Sequence, residues 1–299
     1  MYHKVINTIS VRFLSTLLCA VLLLSACEKK ESDTVEQTPL TPTVGAINAR
    51  FSVSDGKTVV FSQGNLQYRA SAGRWRFAER QYLAMGYANQ GIDVYYDGWI
   101  DLFGWGTSGY RGHMPYTVSD TASYYGGNTP LSDIAGTNYD WGRFISVENG
   151  GDTPGIWRTL TSAEWRHILQ YREDATQKKG LATITASGIG SVNGLVLLPD
   201  SWEQPSGCSF SPGLDSGFAT NNYSESQWRS MEQAGAVFLP AGGYRSGTTV
   251  GLVNSYGCYW SATYYGENTA CDLYLYAGDF GLASSSRCNG ECVRLVMDK

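Results

Sequence analysis

The chain has 299 residues and a net charge of −5, with only 16% charged side chains against 42% hydrophobic and 13% aromatic. That balance can bury a sizeable core, and it offers no basic patch of the kind nucleic-acid binding requires. Nucleic acid is therefore excluded as an expected partner.

Residues 1–26 read as a processing signal. A weakly positive start with His3, Lys4 and Arg12 is followed by an apolar run over 14–24, too short to span a bilayer. It ends Leu24-Ser25-Ala26-Cys27, which resembles a lipobox. The resemblance implies that Cys27 becomes a lipidated, palmitate-bearing N-terminus anchored in the outer membrane. The charged run 28–33 resembles the surface-export signals of lipoproteins from gut anaerobes, although a plain solvated tether reads the same way. Residues 27–45 form the tether, with Pro39, Pro42 and several threonines and no core of their own. Residues 46–299 are expected to form one domain.

Within that domain the β signals come first. Strands are expected at 47–53, 58–62, 65–69 and 75–78 from alternation and β-branched or aromatic content. Residues 86–151 read as loops, with Trp99, Trp105 and Trp141 recurring beside glycines. A structureless stretch of that length is expected to be functional or pinned, and the tryptophans favour pinning. Two helices then announce themselves by capping boxes: Thr161 with Glu164, and Ser224 with Gln227. Trp165, Ile168 and Leu169 share one face of the first; Trp228, Met231 and Ala234 share one face of the second, with Gly235 placed for a left-handed cap. Apolar β runs follow at 195–198 and 236–239. Capped helices beside short strands predict an α+β domain.

The last stretch, 254–292, has its own palette. It contains no Lys, Gln, Met or Pro and is built almost entirely from Tyr, Ser, Gly, Asn, Asp, Ala and Cys. Tyrosine supplies stiff amphipathic contact area, and the small polar residues supply adaptable hydrogen bonds. Randomising the adenines of an AAC or AAT codon generates this set but never Lys, Glu, Gln, Met or Trp. Only Trp260, Glu267 and Glu291 fall outside it. With its Tyr259-Trp260-Ser261 frame, its Leu273-Tyr274-Leu275 segment and its closing Val293-Arg294, the stretch resembles the variable proteins of diversity-generating retroelements, which carry a C-type-lectin-like fold. The segments FSQGNLQYR, WIDLFGWGTSGY, WRTLTSAEW, GLVLLPDSW and GAVFLPAGGYR resemble bacterial lipoproteins related to the Fibrobacter succinogenes major paralogous domain, and more distantly formylglycine-generating enzymes.

These resemblances imply a lectin-like domain with long aromatic- and Gly-rich loops and a binding face in 254–292. The face would be formed by Ser255, Tyr256, Cys258, Tyr264, Tyr265, Asp272, Tyr274, Tyr276, Asp279, Ser284, Ser285 and Asn289. Trp165, Trp228, Trp260 and Val293 would hold it rigid from below, and Arg294 would anchor the closing strand. The alternation in Asp272-Leu273-Tyr274-Leu275-Tyr276 places the leucines toward the core and the tyrosines outward. The implied function is adhesion or recognition, by a surface-displayed lipoprotein, of an unknown protein or glycan on another cell, a host or a phage. A structural or carbohydrate-associated envelope lipoprotein without a diversified site is the alternative, and an enzyme of the formylglycine-generating type a third.

Other chemistry finds little footing. Five cysteines remain once Cys27 and the signal are set aside, and an odd count leaves one unpaired within the chain. Cys288 and Cys292 are spaced C-x-x-x-C, but Arg287 is the only neighbouring cation to activate a thiolate. Asp93, Asp97 and Asp101 are evenly spaced acids interrupted by Trp99 and Ile100, which reads as an aromatic turn more than a calcium loop. His113 and His167 stand alone. No enzyme activity, no cofactor and no metal are therefore expected.

Overall fold

The computed structural model describes residues 40–116 and 131–299. Residues 1–39, with the expected signal peptide, Cys27 and most of the tether, and residues 117–130 of the expected loop stretch lie outside the described residues. Short β runs punctuated by turns cannot build one broad sheet, and the described strands form five small ones. Phe51–Ser54, Lys57–Phe61, Leu295–Asp298 and Arg158–Thr159 make the first, in that order. The strand Leu295–Asp298 is thus hydrogen-bonded between the opening hairpin and the residues leading into the helix that Thr161 caps. Val237–Pro240, Gly190–Leu197, Lys179–Ala186 and Asn222–Ser224 make the second. Arg74–Phe77, Leu66–Arg69 and Trp99–Ile100 make a third. The pair Tyr244–Ser246 and Thr249–Gly251 is a small hairpin. Tyr256–Gly266, Thr269–Tyr276 and Asp279–Ser286 form the last sheet, a meander. Among the described strands every strand pairing is antiparallel except that of Lys179–Ala186 with Asn222–Ser224. The class is mixed α+β, with small, mostly antiparallel sheets and few helices.

The expected strands appear with shifted ends, and the run expected at 195–198 belongs to the longer Gly190–Leu197. The first begins at Phe51, not Ile47. Ile47 does bond Phe61 through its amide, but the Ala49 amide turns back onto the Ile47 carbonyl and interrupts the ladder there.

Both capping boxes are formed. Thr161 accepts from the Glu164 amide, and the Glu164 carboxylate accepts from the Thr161 amide at 2.8 Å. Ser224 and Gln227 repeat the arrangement. Ser162–Arg166 continues directly into a π-helical turn, His167–Tyr171, and Trp165, Ile168 and Leu169 are buried along it. Glu225–Gln233 buries Trp228 and Met231, while Ala234 stays half-buried as the helix ends and Gly235 takes φ +97°.

The described part of the 86–151 region, 86–116 and 131–151, consists mainly of loops, and its tryptophans pin it. Trp105 and Trp141 are fully buried, and the Trp105 indole donates to the Ser261 carbonyl at 2.8 Å. Gly142 permits a close backbone approach, since a Cβ there would lie 2.3 Å from the Trp157 carbonyl carbon. Trp99 differs: it stays half-buried, with the Arg76 guanidinium over its ring at 4.1 Å.

Three core clusters result. One joins the opening hairpin and Trp165 to Leu273 and Leu275. A second is aromatic, with Trp75, Phe77, Trp105, Trp141, Trp157 and Trp260 beside Val293 and Leu295. The third packs Trp228 against Tyr223 and Phe238. Trp228 therefore supports the second sheet and not the meander directly. Arg294 is buried and donates to the carbonyls of Ser62 and Phe238, tying the closing strand to two sheets, as its expected anchoring role requires. Among the described residues no helix is long and apolar enough to cross a membrane.

Candidate functional site

The meander decides where the 254–292 side chains go. Leu273 and Leu275 are fully buried in the first core cluster, so Asp272, Tyr274 and Tyr276 take the opposite face of the same strand. Across the ladder Tyr276 pairs with Tyr256, and Tyr274 with Cys258. On the other side Tyr276 pairs with Asp279 and Tyr274 with Gly281. The outer face thus carries a ladder of tyrosines. Tyr256 stacks on Tyr276 at 6.1 Å, Tyr276 on Tyr274 at 6.2 Å, and Tyr244 meets Tyr256 edge-on at 6.3 Å. Gly281 leaves room for the Tyr274 ring, whose atoms would lie 3.3–3.5 Å from a Cβ at that position. The Tyr274 hydroxyl donates to Asp279 at 2.7 Å, which pushes its pKa up to about 12, the hydrogen bond being the main cause.

Beside the ladder lies a cleft of about 320 Å³ lined by Tyr244, Leu252, Tyr256, Cys258, Ser285, Asn289 and Glu291. Four of these, Tyr256, Cys258, Ser285 and Asn289, belong to the face expected from sequence. One wall is the segment 287–292, which is pinned along its length. The Trp105 amide donates to Arg287, Arg245 and Gly290 exchange amide hydrogen bonds, Phe103 and Glu291 do the same, and the Cys292 amide donates to Cys258. A Cβ at Gly290 would stand 3.0 Å from that of Arg245, so a bare backbone is needed for this approach. At the opposite rim Leu252 holds φ +56° while half-exposed, and its carbonyl accepts from the amides of Ser255 and Tyr256. A left-handed leucine is strained, and such strain concentrates at binding sites.

The expected face is corrected in several places. Cys258 and Asp272 are buried, not displayed. They share the outer side of the sheet but lie deeper, where the 287–292 segment covers it. Ser284 pairs with Cys271 and so points to the side opposite Ser285. A one-residue step along a strand reverses the face. Tyr264 is half-buried and packs against the aromatic core cluster, with the Arg287 guanidinium 5.9 Å from its ring. Tyr265 is exposed at 67%, beyond an irregularity in the strand pairing between Trp260 and Tyr264. Ser255 is exposed, with its hydroxyl donating to Leu252. The structure therefore gathers Tyr256, Tyr274, Tyr276 and Asp279 into one outer patch, with Cys258, Ser285 and Asn289 in the adjoining cleft. It leaves Tyr264, Tyr265 and Ser284 apart.

Tyr244, Leu252 and Glu291 were missed by sequence reasoning. Tyr244 closes the GAVFLPAGGYR segment, outside the binding palette. Glu291 did carry a signal: it is one of three residues in its stretch that adenine randomisation cannot generate.

The cleft floor is electrostatically unusual. Cys258, Asp272 and Glu291 are buried together, with one ligand-capable atom from each lying within 4.8 Å of the others. Burial pushes the Asp272 carboxyl up to about 6 against the pull of Ser285 and the Cys258 thiol. Burial, with Asp272 adding repulsion, raises Glu291 well above the usual carboxyl range. Burial likewise raises the Cys258 thiol, with both carboxyls adding to it. Ser285 sits close to both carboxyl groups, yet no hydrogen bond of normal geometry reaches any of the four carboxyl oxygens.

The other sequence candidates stay separate. Asp97 bonds Arg69 and Ser71, Asp101 bonds Asn89 and the Met85 amide, and Asp93 caps the Tyr95 amide. All five described cysteines are free thiols, including Cys208 and Cys271; Cys288 lies 3.1 Å from the Ser286 hydroxyl, and Cys292 is buried in the first core cluster. No family model, curated protein or solved structure matches the chain.

Proposed function

We propose that this chain is a surface-displayed lipoprotein that binds a ligand through a diversified, C-type-lectin-like face formed by its last strands. One observation carries the reading: the Tyr-rich stretch forms a three-stranded meander whose leucines enter the core while its tyrosines stack outward beside a cleft. Such a division lets outward residues change without disturbing what lies beneath. The stacked rings offer a preorganised aromatic surface, the kind of anchor that dominates interface energetics. Asp279 and Asn289 add polar contacts at the edge. The protein would hang from the outer membrane by Cys27 on a flexible tether, with a protein or glycan on another surface as its partner.

The test has two arms. Comparing the codons of 254–292 with a neighbouring near-identical repeat rich in AAC reads diversification directly; substitutions confined to template adenines are expected. Screening the protein against cells and glycans, with a Tyr256→Ser, Tyr274→Ser, Tyr276→Ser variant as control, reads binding. A partner held equally well by that variant would remove the proposed face.

A further inference from the structure

We propose that Cys258, Asp272 and Glu291 form a binding site for a borderline-soft divalent transition ion, Zn²⁺ by its chemistry, at the floor of the cleft. The proposal does not depend on the ligand-display reading, and it departs from the sequence-based expectation of no metal.

The geometry comes from three separate segments. Cys258 and Asp272 are diagonal neighbours on one face of adjacent strands, since Cys258 pairs with Tyr274 and Asp272 lies two residues before it. Glu291 arrives from the pinned 287–292 segment, fixed by paired amide hydrogen bonds with Phe103. One donor atom from each lies within 4.8 Å of the other two. A tetrahedral ion with Zn–S near 2.3 Å and Zn–O near 2.0–2.2 Å needs its ligands roughly 3.3–3.8 Å apart. Closing that gap takes side-chain rotations of about an ångström.

A second observation points to a ligand. Glu291 is fully buried and Asp272 is 1% exposed, and all four of their carboxyl oxygens lack a hydrogen-bond donor of normal geometry. Buried polar groups without partners are costly and rare. A cation among them would take one oxygen from each carboxyl and offset the charge of both. The donor set chooses the ion. A thiolate disfavours Mg²⁺ and Ca²⁺, which take oxygen ligands, whereas sulfur with carboxylate oxygen suits Zn²⁺ and its spectroscopic substitute Co²⁺. Binding would release the Cys258 proton to solvent together with any proton on the two carboxyls. Three protein ligands leave a fourth coordination position, and Cys258 and Glu291 both line the cleft. An ion there could accept an oxygen or nitrogen from a bound partner.

The test uses the full chain, purified reduced and stripped with chelator, then titrated with Co²⁺ and with Zn²⁺. One equivalent is expected to bind, with a thiolate-to-cobalt charge-transfer band that Zn²⁺ displaces. Cys258→Ser should remove the band, and Asp272→Asn and Glu291→Gln should each weaken binding at least tenfold, while circular dichroism and the thermal midpoint report whether each variant remains folded. Cys271→Ser, at the opposite face, should bind like the parent. Failure of the folded parent to take up a stoichiometric ion overturns the site. So does a band that survives in Cys258→Ser or disappears in Cys271→Ser.

Discussion

Tyr256 and Tyr276 are cross-strand partners whose rings lie 6.1 Å apart and 23° from parallel. Their strands are joined through a chain reversal that also carries the exposed Tyr265 and Glu267, yet the two rings meet at the far end, beside the cleft. Aromatic cross-strand pairs contribute about 0.2–1 kcal/mol relative to alanine. This stack is therefore a small stabiliser and chiefly a means of presenting aromatic surface.

Side chains on the two faces of the meander should respond in opposite ways. Tyr274→Ser and Tyr276→Ser are expected to shift stability by no more than about 1 kcal/mol each. Leu273→Ala should cost about 2–5 kcal/mol, because Leu273 is fully buried in the core. Tyr264→Ser should cost more than Tyr265→Ser, since only Tyr264 packs against the aromatic cluster. Urea melts of the five variants check this order; a tyrosine at 274 or 276 that matters as much as Leu273 would contradict the register.

The second helix gives an independent check on the core. Trp228 is buried against Tyr223 and Phe238 with ring centroids 6.0 and 5.4 Å away. Trp228→Ala is expected to destabilise the domain by about 3–5 kcal/mol. Because Trp228 belongs to a different cluster from Leu273, its effect should add to that of a meander substitution in denaturant melts.

Stability should fall as pH rises from about 4 toward 7. Burial pushes Asp140 up to about 7, against opposing hydrogen bonds from Thr159, and pushes Asp101 up to about 6. A carboxyl whose folded pKa is raised contributes stability fully below its unfolded pKa and loses it as pH climbs through the folded value. Each pKa unit between the two states is worth about 1.4 kcal/mol. Urea midpoints measured between pH 4 and 8 should therefore decline, and Asp140→Asn should flatten the decline. A midpoint that rises over this range would show that other groups dominate.

At the other end of the chain, Cys27→Ala should abolish palmitate labelling and move the protein out of the membrane fraction. Fractionation and labelling like those of the parent would mean that Leu24-Ser25-Ala26-Cys27 is not a lipidation site.

What the sequence by itself determined was local. Capping boxes at Thr161 and Ser224, the left-handed Gly235, and the alternation of Leu273 and Leu275 with tyrosines depend on contacts within a few residues, and each appears as read. The pinning tryptophans were legible for the same reason, as large apolar rings beside glycines. Only the tertiary structure decided which residues meet. That Ser285 faces the cleft while Ser284 faces away follows from the strand register. That Cys258 and Asp272 lie under cover follows from the 287–292 segment, held in place by backbone bonds to Arg245, Phe103 and Trp105. Glu291 joins them from 19 residues beyond Asp272, where no short-range pattern links the two. Burial is set by what folds over a side chain, and that depends on distant backbone pairing more than on the residue's own neighbours in sequence.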